Sequence, residues 1–218
     1  YGAFVASLNM HYSRWWSKAD THERLEEVSS QMSVNMTEAL KAYKKFNNEY
    51  PERIIIYRDG VGEGQLEHVF RIELQRIKSA LKDVSPGIKF SMVVVNKRIG
   101  ARFYMRSNAD GSFQNPPPGT VIDHTVTREE RYDFYLISQS TRQGTVTPTY
   151  YNIIHDEAGF NPEIHQKLAF KMCLLYYNWS GTVRVPAPCQ YAHKLALLCG
   201  EHLHSQPNAQ MDDKLHFL

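Results

Sequence analysis

The stretch Arg53-Ile54-Ile55-Ile56-Tyr57-Arg58-Asp59-Gly60-Val61-Gly62-Glu63-Gly64 decides the fold class. Three consecutive β-branched residues followed by Tyr suit a strand buried on both faces, as in a sheet covered by helices. The glycines then turn the chain. Asp59 thus stands at the carboxyl end of a strand, where open α/β sheets place their ligands. An aspartate before glycine is also a common turn former, so position alone does not assign it chemistry. Gly60-x-Gly62-x-Gly64 lacks the spacing of a dinucleotide fingerprint and the acid that follows one about 20 residues later.

On the N-terminal side, Leu25, Val28, Met32, Met36, Leu40, Tyr43 and Phe46 recur at steps of three or four and predict a helix over residues 22–48, ended by Pro51. Before it, Ala3 to Leu8 reads as a strand. On the C-terminal side, Leu66, Val69, Phe70, Leu74, Ile77 and Leu81 predict a second helix, and Phe90 to Val95 a second buried strand. Shorter strands are expected at Arg102 to Met105 and Thr120 to Asp123, separated by the rigid turn Pro116-Pro117-Pro118-Gly119. Further strands are expected at Asp133 to Ser138, Thr149 to His155 and Val183 to Val185. Asn161-Pro162-Glu163 combines a capping side chain, a first-turn proline and an acid, and starts a helix expected to reach about Asn178. A last helix begins near Cys189 and fades after His204. Strands alternating with helices give an α/β fold with a sheet flanked by helices.

The 218 residues, 42% of them apolar, suffice for one cored domain. No apolar run approaches the 20 or so residues of a membrane span. No basic region followed by an apolar stretch opens the chain as a secretory signal would. The first residue is Tyr and a strand begins almost at once, as in a segment of a longer protein. Cys173, Cys189 and Cys199 are an odd number without a Cys-x-x-Cys pair, which suits a reducing compartment. On that reading the glycosylation triplets at Asn35 and Asn178 are coincidental. Cys189, His193, Cys199, His202 and His204 do not follow a zinc spacing. The net charge is +2, unevenly distributed. No acid lies between Asp83 and Asp110, where Lys89, Lys97, Arg98, Arg102 and Arg106 occur. None lies between Glu163 and Glu201, where Lys167, Lys171, Arg184 and Lys194 occur. A surface built from these stretches attracts polyanions; a mosaic surface is the other reading.

Several blocks together resemble the PIWI domain of Argonaute proteins. Ile54 to Gln65 resembles the strand and loop of the second catalytic aspartate. Asp133-Phe134-Tyr135-Leu136, Gln143-Gly144-Thr145 and Pro148-Thr149-Tyr150-Tyr151 are similar to the blocks that follow, and Val185 to Ala196 to the last catalytic block. Tyr176-Tyr177-Asn178-Trp179, the Cys189-Gln190 pair and the ending Leu215-His216-Phe217-Leu218 look like the Piwi branch rather than the Ago branch. The match runs in order over almost the whole chain.

The resemblance implies an RNase H-like fold with a mixed sheet, and assigns residues 1–218 to the C-terminal portion of a PIWI domain. The first catalytic aspartate is expected upstream of the opening strand, with the MID and PAZ domains further upstream. It implies a carboxylate set completed by histidine and two Mg²⁺ (or Mn²⁺) ions, about 3.5–4 Å apart in such sites. Carried over by position, Asp59 is the second aspartate, His193 the fourth ligand and Glu27 the inserted glutamate, which lies 32 residues before Asp59 (59 − 27); a one-residue slip selects Glu26 instead. Lys97, Arg102, Arg184 and Gln190 match guide-backbone contacts, and Gln143 stands with them. The carboxylate of Leu218 is expected near the guide's 5′ phosphate through a metal ion. Thr147 and Asn178 depart from basic residues of Ago proteins, so this contact set carries over only in part. The implied function is guide-RNA (piRNA)-directed cleavage of complementary RNA in transposon silencing, in cytoplasmic perinuclear germ granules or the nucleus. The alternatives are a guide-bound scaffold that represses without cutting and, with no cofactor motif in its favour, a metabolic α/β enzyme.

Overall fold

The computed structural model describes the backbone of residues 1–22 and 25–218, and the side chains of all of these except 25–30 and 63. The chain forms two compact units: Tyr1–Ile55 with Gly62–Phe90 and Pro188–Leu218, and Ile56–Val61 with Ser91–Ala187.

In the first unit, β1 (Gly2–Ser7) pairs antiparallel with β2 (Trp15–Asp20). Helix α1 (Leu25–Asn47) packs on this pair. Leu8, Trp16 and Ala39 are buried together, with Phe4, Ala6, Ala42 and Tyr43 around them. The stripe that predicted α1 is the buried face at Met36 and Leu40; Leu25 and Val28 lie outside the described side chains. The helix ends where Asn48 turns left-handed (φ 66°) and Asn47 Nδ2 donates to the carbonyls of Tyr43 and Leu8, each at 2.9 Å. These bonds satisfy one of the carbonyls that a helix end leaves open. Next come α2 (Leu66–His68), a π-helical segment (Val69–Glu73) and α3 (Leu74–Val84), which buries Leu74, Ile77 and Leu81. Helix α5 (Ala187–Leu197) continues as a π-turn, Leu198–Leu203.

The mixed sheet has the order β3-β4-β9-β8-β7. Its strands are β3 (Arg53–Asp59), β4 (Lys89–Asn96), β7 (Thr120–Ile122), β8 (Tyr132–Ile137) and β9 (Thr149–Asp156). Phe90 to Val95 is buried residue after residue, as its uninterrupted apolar run requires. Phe134 and Tyr151 are cross-strand partners with rings stacked 4.9 Å apart. Helix α4 (Pro162–Met172) packs against β8.

Three expectations need correction, and one strand carries no sequence signal. Residues Arg102 to Tyr104 form no strand; the pairing there is a short hairpin, β5 (Met105–Arg106) with β6 (Phe113–Gln114). Val183 to Val185 is not a strand either. The Ser138 hydroxyl donates to Val183 O at 2.9 Å, and the Thr149 hydroxyl to Arg184 O at 2.8 Å. These hydroxyls satisfy carbonyls that a neighbouring strand would otherwise bond. Helix α4 stops at Met172, not near Asn178, and Val183 N–H closes on Cys173 O at 2.8 Å. Finally, β2 was not anticipated: Trp15, Trp16, Ser17, Ala19 and Asp20 are all buried, so its sequence carries no alternation to read.

Candidate functional site

Strand β3 delivers Asp59, and the next residue, Gly60, turns at φ 77°, a conformation that costs glycine nothing. Asp59 Oδ1 accepts the Gly60 N–H at 2.7 Å. Its other oxygen, Oδ2, lies 2.6 Å from the ammonium of Lys97, and both side chains are partly buried. The loop beyond is braced locally: Gly62 N–H donates to Gln65 Oε1 at 3.1 Å, and Gln65 N–H to Gly62 O at 3.0 Å.

Lys97 follows directly on β4. Its backbone carbonyl accepts a hydrogen bond from Arg184 Nη2, which also reaches Pro148 O at 3.3 Å. Burial holds the Arg184 guanidinium below its ordinary value; the charge of Arg102 acts in the same direction and that of Asp59 against it. Arg102 itself is exposed and donates to the carbonyls of Ile99 (3.1 Å) and Ala101 (2.7 Å). The second unit therefore gathers three of the residues selected for phosphate contact, Lys97, Arg102 and Arg184, with one carboxylate, Asp59. Cations outnumber the acid, so the cluster attracts anions.

Gln143 is exposed in the loop between β8 and β9. Asn115 ties that loop down, donating to Gly144 O at 2.8 Å and accepting from Val146 N at 3.0 Å. His193, exposed, and Gln190, half-buried, lie on α5 of the first unit. Leu218 is half-buried and follows Phe217, whose ring meets Tyr191 edge-on (6.1 Å between centroids), as Tyr191 meets Trp15 (5.0 Å). The side chains of Glu26 and Glu27 lie outside the described residues. Among the described residues, no three His, Cys, Asp or Glu side chains gather as a metal site would. Asn35 is buried, with Nδ2 donating to Asp20 at 2.6 Å, in agreement with a coincidental glycosylation triplet there.

Two polar clusters, a buried one at Asp133 and one at the more exposed Asp156, escaped the sequence reading. The Asp133 carboxylate accepts the Tyr150 hydroxyl and the Arg128 N–H. Asp156 accepts the Ser91 hydroxyl and meets His165 Nε2 at 3.2 Å. The second has the residue types of a hydrolase triad without its order. Its serine bonds to the carboxylate and not to the imidazole, so no base activates it. The local sequence carries no signal for either cluster.

The Piwi domain family matches residues 1–204. The chain belongs to this family. It is 51% identical to Piwi-like protein 1 of Danio rerio over 221 aligned residues, covering all of this chain and 25% of that protein. Identity to Piwi-like protein Siwi of Bombyx mori is 46%, over all of this chain and 24% of that protein. The crystal structure of Drosophila Piwi superposes with a TM-score of 0.88 at 40% identity, over 99% of this chain and 29% of that one. Kluyveromyces polysporus Argonaute, solved with a guide RNA, shares the fold at a TM-score of 0.82 and 24% identity, over 99% of this chain and 30% of that one. The Piwi-family chain therefore has the RNase H-like fold expected of it, and spans about a quarter of the length of the curated relatives it matches.

Proposed function

We propose that this chain forms part of a guide-RNA-directed endoribonuclease that cuts RNA paired to a piRNA guide and so silences transposons. The observation that carries the reading is Asp59 at the carboxyl end of β3, with Lys97, Arg102 and Arg184 beside it, in a chain of the Piwi family. Asp59, His193 and Glu27 would hold Mg²⁺ or Mn²⁺. The donor chemistry fits: carboxylate oxygens suit hard divalent cations and a neutral imidazole can complete the sphere, and Asp59 already carries a cation, the Lys97 ammonium. When bound, such ions make water a stronger nucleophile and stabilise the leaving oxygen. The roles of this chain's own residues are to hold and orient. Arg102, Arg184, Lys97, Gln143 and Gln190 grip phosphates without reading bases, so that base pairing selects the target. Leu218 presents its carboxylate toward the guide's 5′ end. Guide capture requires the MID and PAZ domains of the full-length protein, and germ granules are its place of action.

In the full-length protein, Asp59→Ala abolishes cleavage of a guide-paired RNA and leaves guide loading and target pairing near wild type. His193→Ala and Glu27→Gln follow the same pattern, whereas Glu26→Gln stays active. Guide loading and cleavage are read separately, by filter binding and by product analysis. Full cleavage by Asp59→Ala, or loss of its guide loading, sinks the assignment. The Lys97–Asp59 ion pair also gives the carboxylate a protein partner, which favours the second reading, a guide-bound scaffold that does not cut. A wild-type protein that loads guide and pairs target without cleaving it would establish that reading.

A further inference from the structure

The ion pair between Lys97 and Asp59 has the geometry of an exchange. The ammonium sits 2.6 Å from Oδ2, against the carboxylate that would hold a divalent cation. An ammonium and a divalent cation against the same carboxylate repel each other. Lys97 is nonetheless easily moved, because its charge lies at the end of a flexible four-carbon stem. The base of that stem is fixed. Arg184 holds the Lys97 carbonyl, and the Ser138 and Thr149 hydroxyls hold the carbonyl of Arg184 at 3.3 and 2.8 Å. Displacement of the ammonium is therefore a side-chain rotation about a held backbone. The neighbourhood it rotates into carries Arg102 and Arg184, where an RNA phosphate is the anion best able to replace the carboxylate.

From this arrangement we infer that Lys97 couples metal occupancy at Asp59 to binding of the RNA backbone. The inference rests on the reading of Asp59 as a metal ligand. Without either ligand, Lys97 neutralises Asp59. A phosphate that takes the ammonium uncovers the carboxylate for the metal, and a metal at the carboxylate releases the ammonium to a phosphate. Each ligand breaks the same ion pair, so each makes the other's binding easier, and by thermodynamic linkage the factor is the same in both directions. Guide-free protein would accordingly hold its catalytic metal weakly and gain it on loading.

The test measures Mn²⁺ binding by electron paramagnetic resonance of free Mn²⁺. It uses the full-length protein with and without a saturating 5′-phosphorylated single-stranded RNA, and requires no cleavage. The quantity compared is the Mn²⁺ binding that disappears in Asp59→Ala. In wild type, RNA is expected to tighten it by roughly tenfold, within the usual range of such couplings. In Lys97→Met it is already tight without RNA, by about the same factor, and RNA changes it little. Lys97→Gln, which keeps a polar tip beside the carboxylate, is measured in parallel and is expected to lose the coupling as well. An RNA effect of equal size in wild type and in the Lys97 variants overturns the inference, as does equal Mn²⁺ affinity of all three without RNA. If Asp59→Ala removes no Mn²⁺ binding, the metal-ligand reading itself fails, whatever the Lys97 variants do.

Discussion

Tyr150 is buried with its hydroxyl donating to Asp133, a carboxylate only 2% exposed that also accepts the Arg128 N–H at 3.2 Å. Burial, reinforced by the hydrogen bond to Asp133 and by its charge, pushes the Tyr150 phenol above its ordinary value. Tyr132 is pushed up to about 12, mainly by burial and against the Gln166 N–H that it accepts at 2.9 Å. Both phenols stay neutral in the fold at a pH where the unfolded chain, with the ordinary value of 10.0, has begun to ionise. A folded pKa above the unfolded one means stability that is complete below pH 10 and declines as pH rises toward 12. Hydrogen exchange of β8 and β9 peptides should show protection falling in that interval, less steeply in Tyr132→Phe. At neutral pH, Tyr150→Phe removes a donor from buried Asp133 and should cost about 1–3 kcal/mol by denaturant titration. An unchanged midpoint there would mean that water replaces the lost hydroxyl.

Asp156 ties three elements together: it ends β9, accepts the Ser91 hydroxyl of β4 and meets His165 of α4. Burial works to raise its pKa, but the hydrogen bonds from Ser91 and His165 outweigh burial and hold the carboxylate below its ordinary value. A depressed folded pKa gives stability that is present above the unfolded value of 3.8 and lost as pH falls through the folded one. Asp156→Ala leaves Ser91 and His165, 0% and 3% exposed, without this partner. It should destabilise by about 2–3 kcal/mol at neutral pH. The difference from wild type should shrink below pH 3.8, read by exchange of α4 and β9 peptides. A constant difference across that range would show that packing, not charge, makes the tie. The helix entering this tie starts cleanly, with Asn161 Oδ1 accepting the Ile164 N–H at 2.8 Å ahead of Pro162, a cap worth about 1 kcal/mol.

At the scale of the whole molecule, a net charge of +2 says little; the gathering of Lys97, Arg102 and Arg184 says more. Among the described residues, no helix is long and apolar enough to cross a membrane. If the cations grip phosphates, replacing both Lys97 and Arg102 by Ala in the full-length protein weakens RNA binding equally for all guide sequences. The slope of log affinity against log salt then flattens by about 0.7–1 per contact. A slope equal to that of wild type returns both side chains to the role of surface charges.

Much of this architecture is legible in the sequence, because the patterns that announce it are local. The β-branched runs of β3 and β4, the apolar stripe of α1, the Asn161-Pro162-Glu163 start of α4 and the Asp59-Gly60 turn each occupy one short stretch, and adjacent residues determine them. The order of blocks from Ile54 to Ala196 likewise sufficed to mark the resemblance to Argonaute PIWI domains. Tertiary structure decided what depends on partners far along the chain. Strand β2, buried on both faces, shows no alternation; Val183 to Val185 has strand composition, yet side-chain hydroxyls satisfy its carbonyls. Lys97 could be read from sequence as a phosphate contact, but not as the counter-ion of Asp59, 38 residues before it (97 − 59). Short-range sequence preferences select helix, strand and turn, whereas an ion pair or a buried carboxylate network exists only where folding brings distant side chains within a few ångströms and removes the water between them.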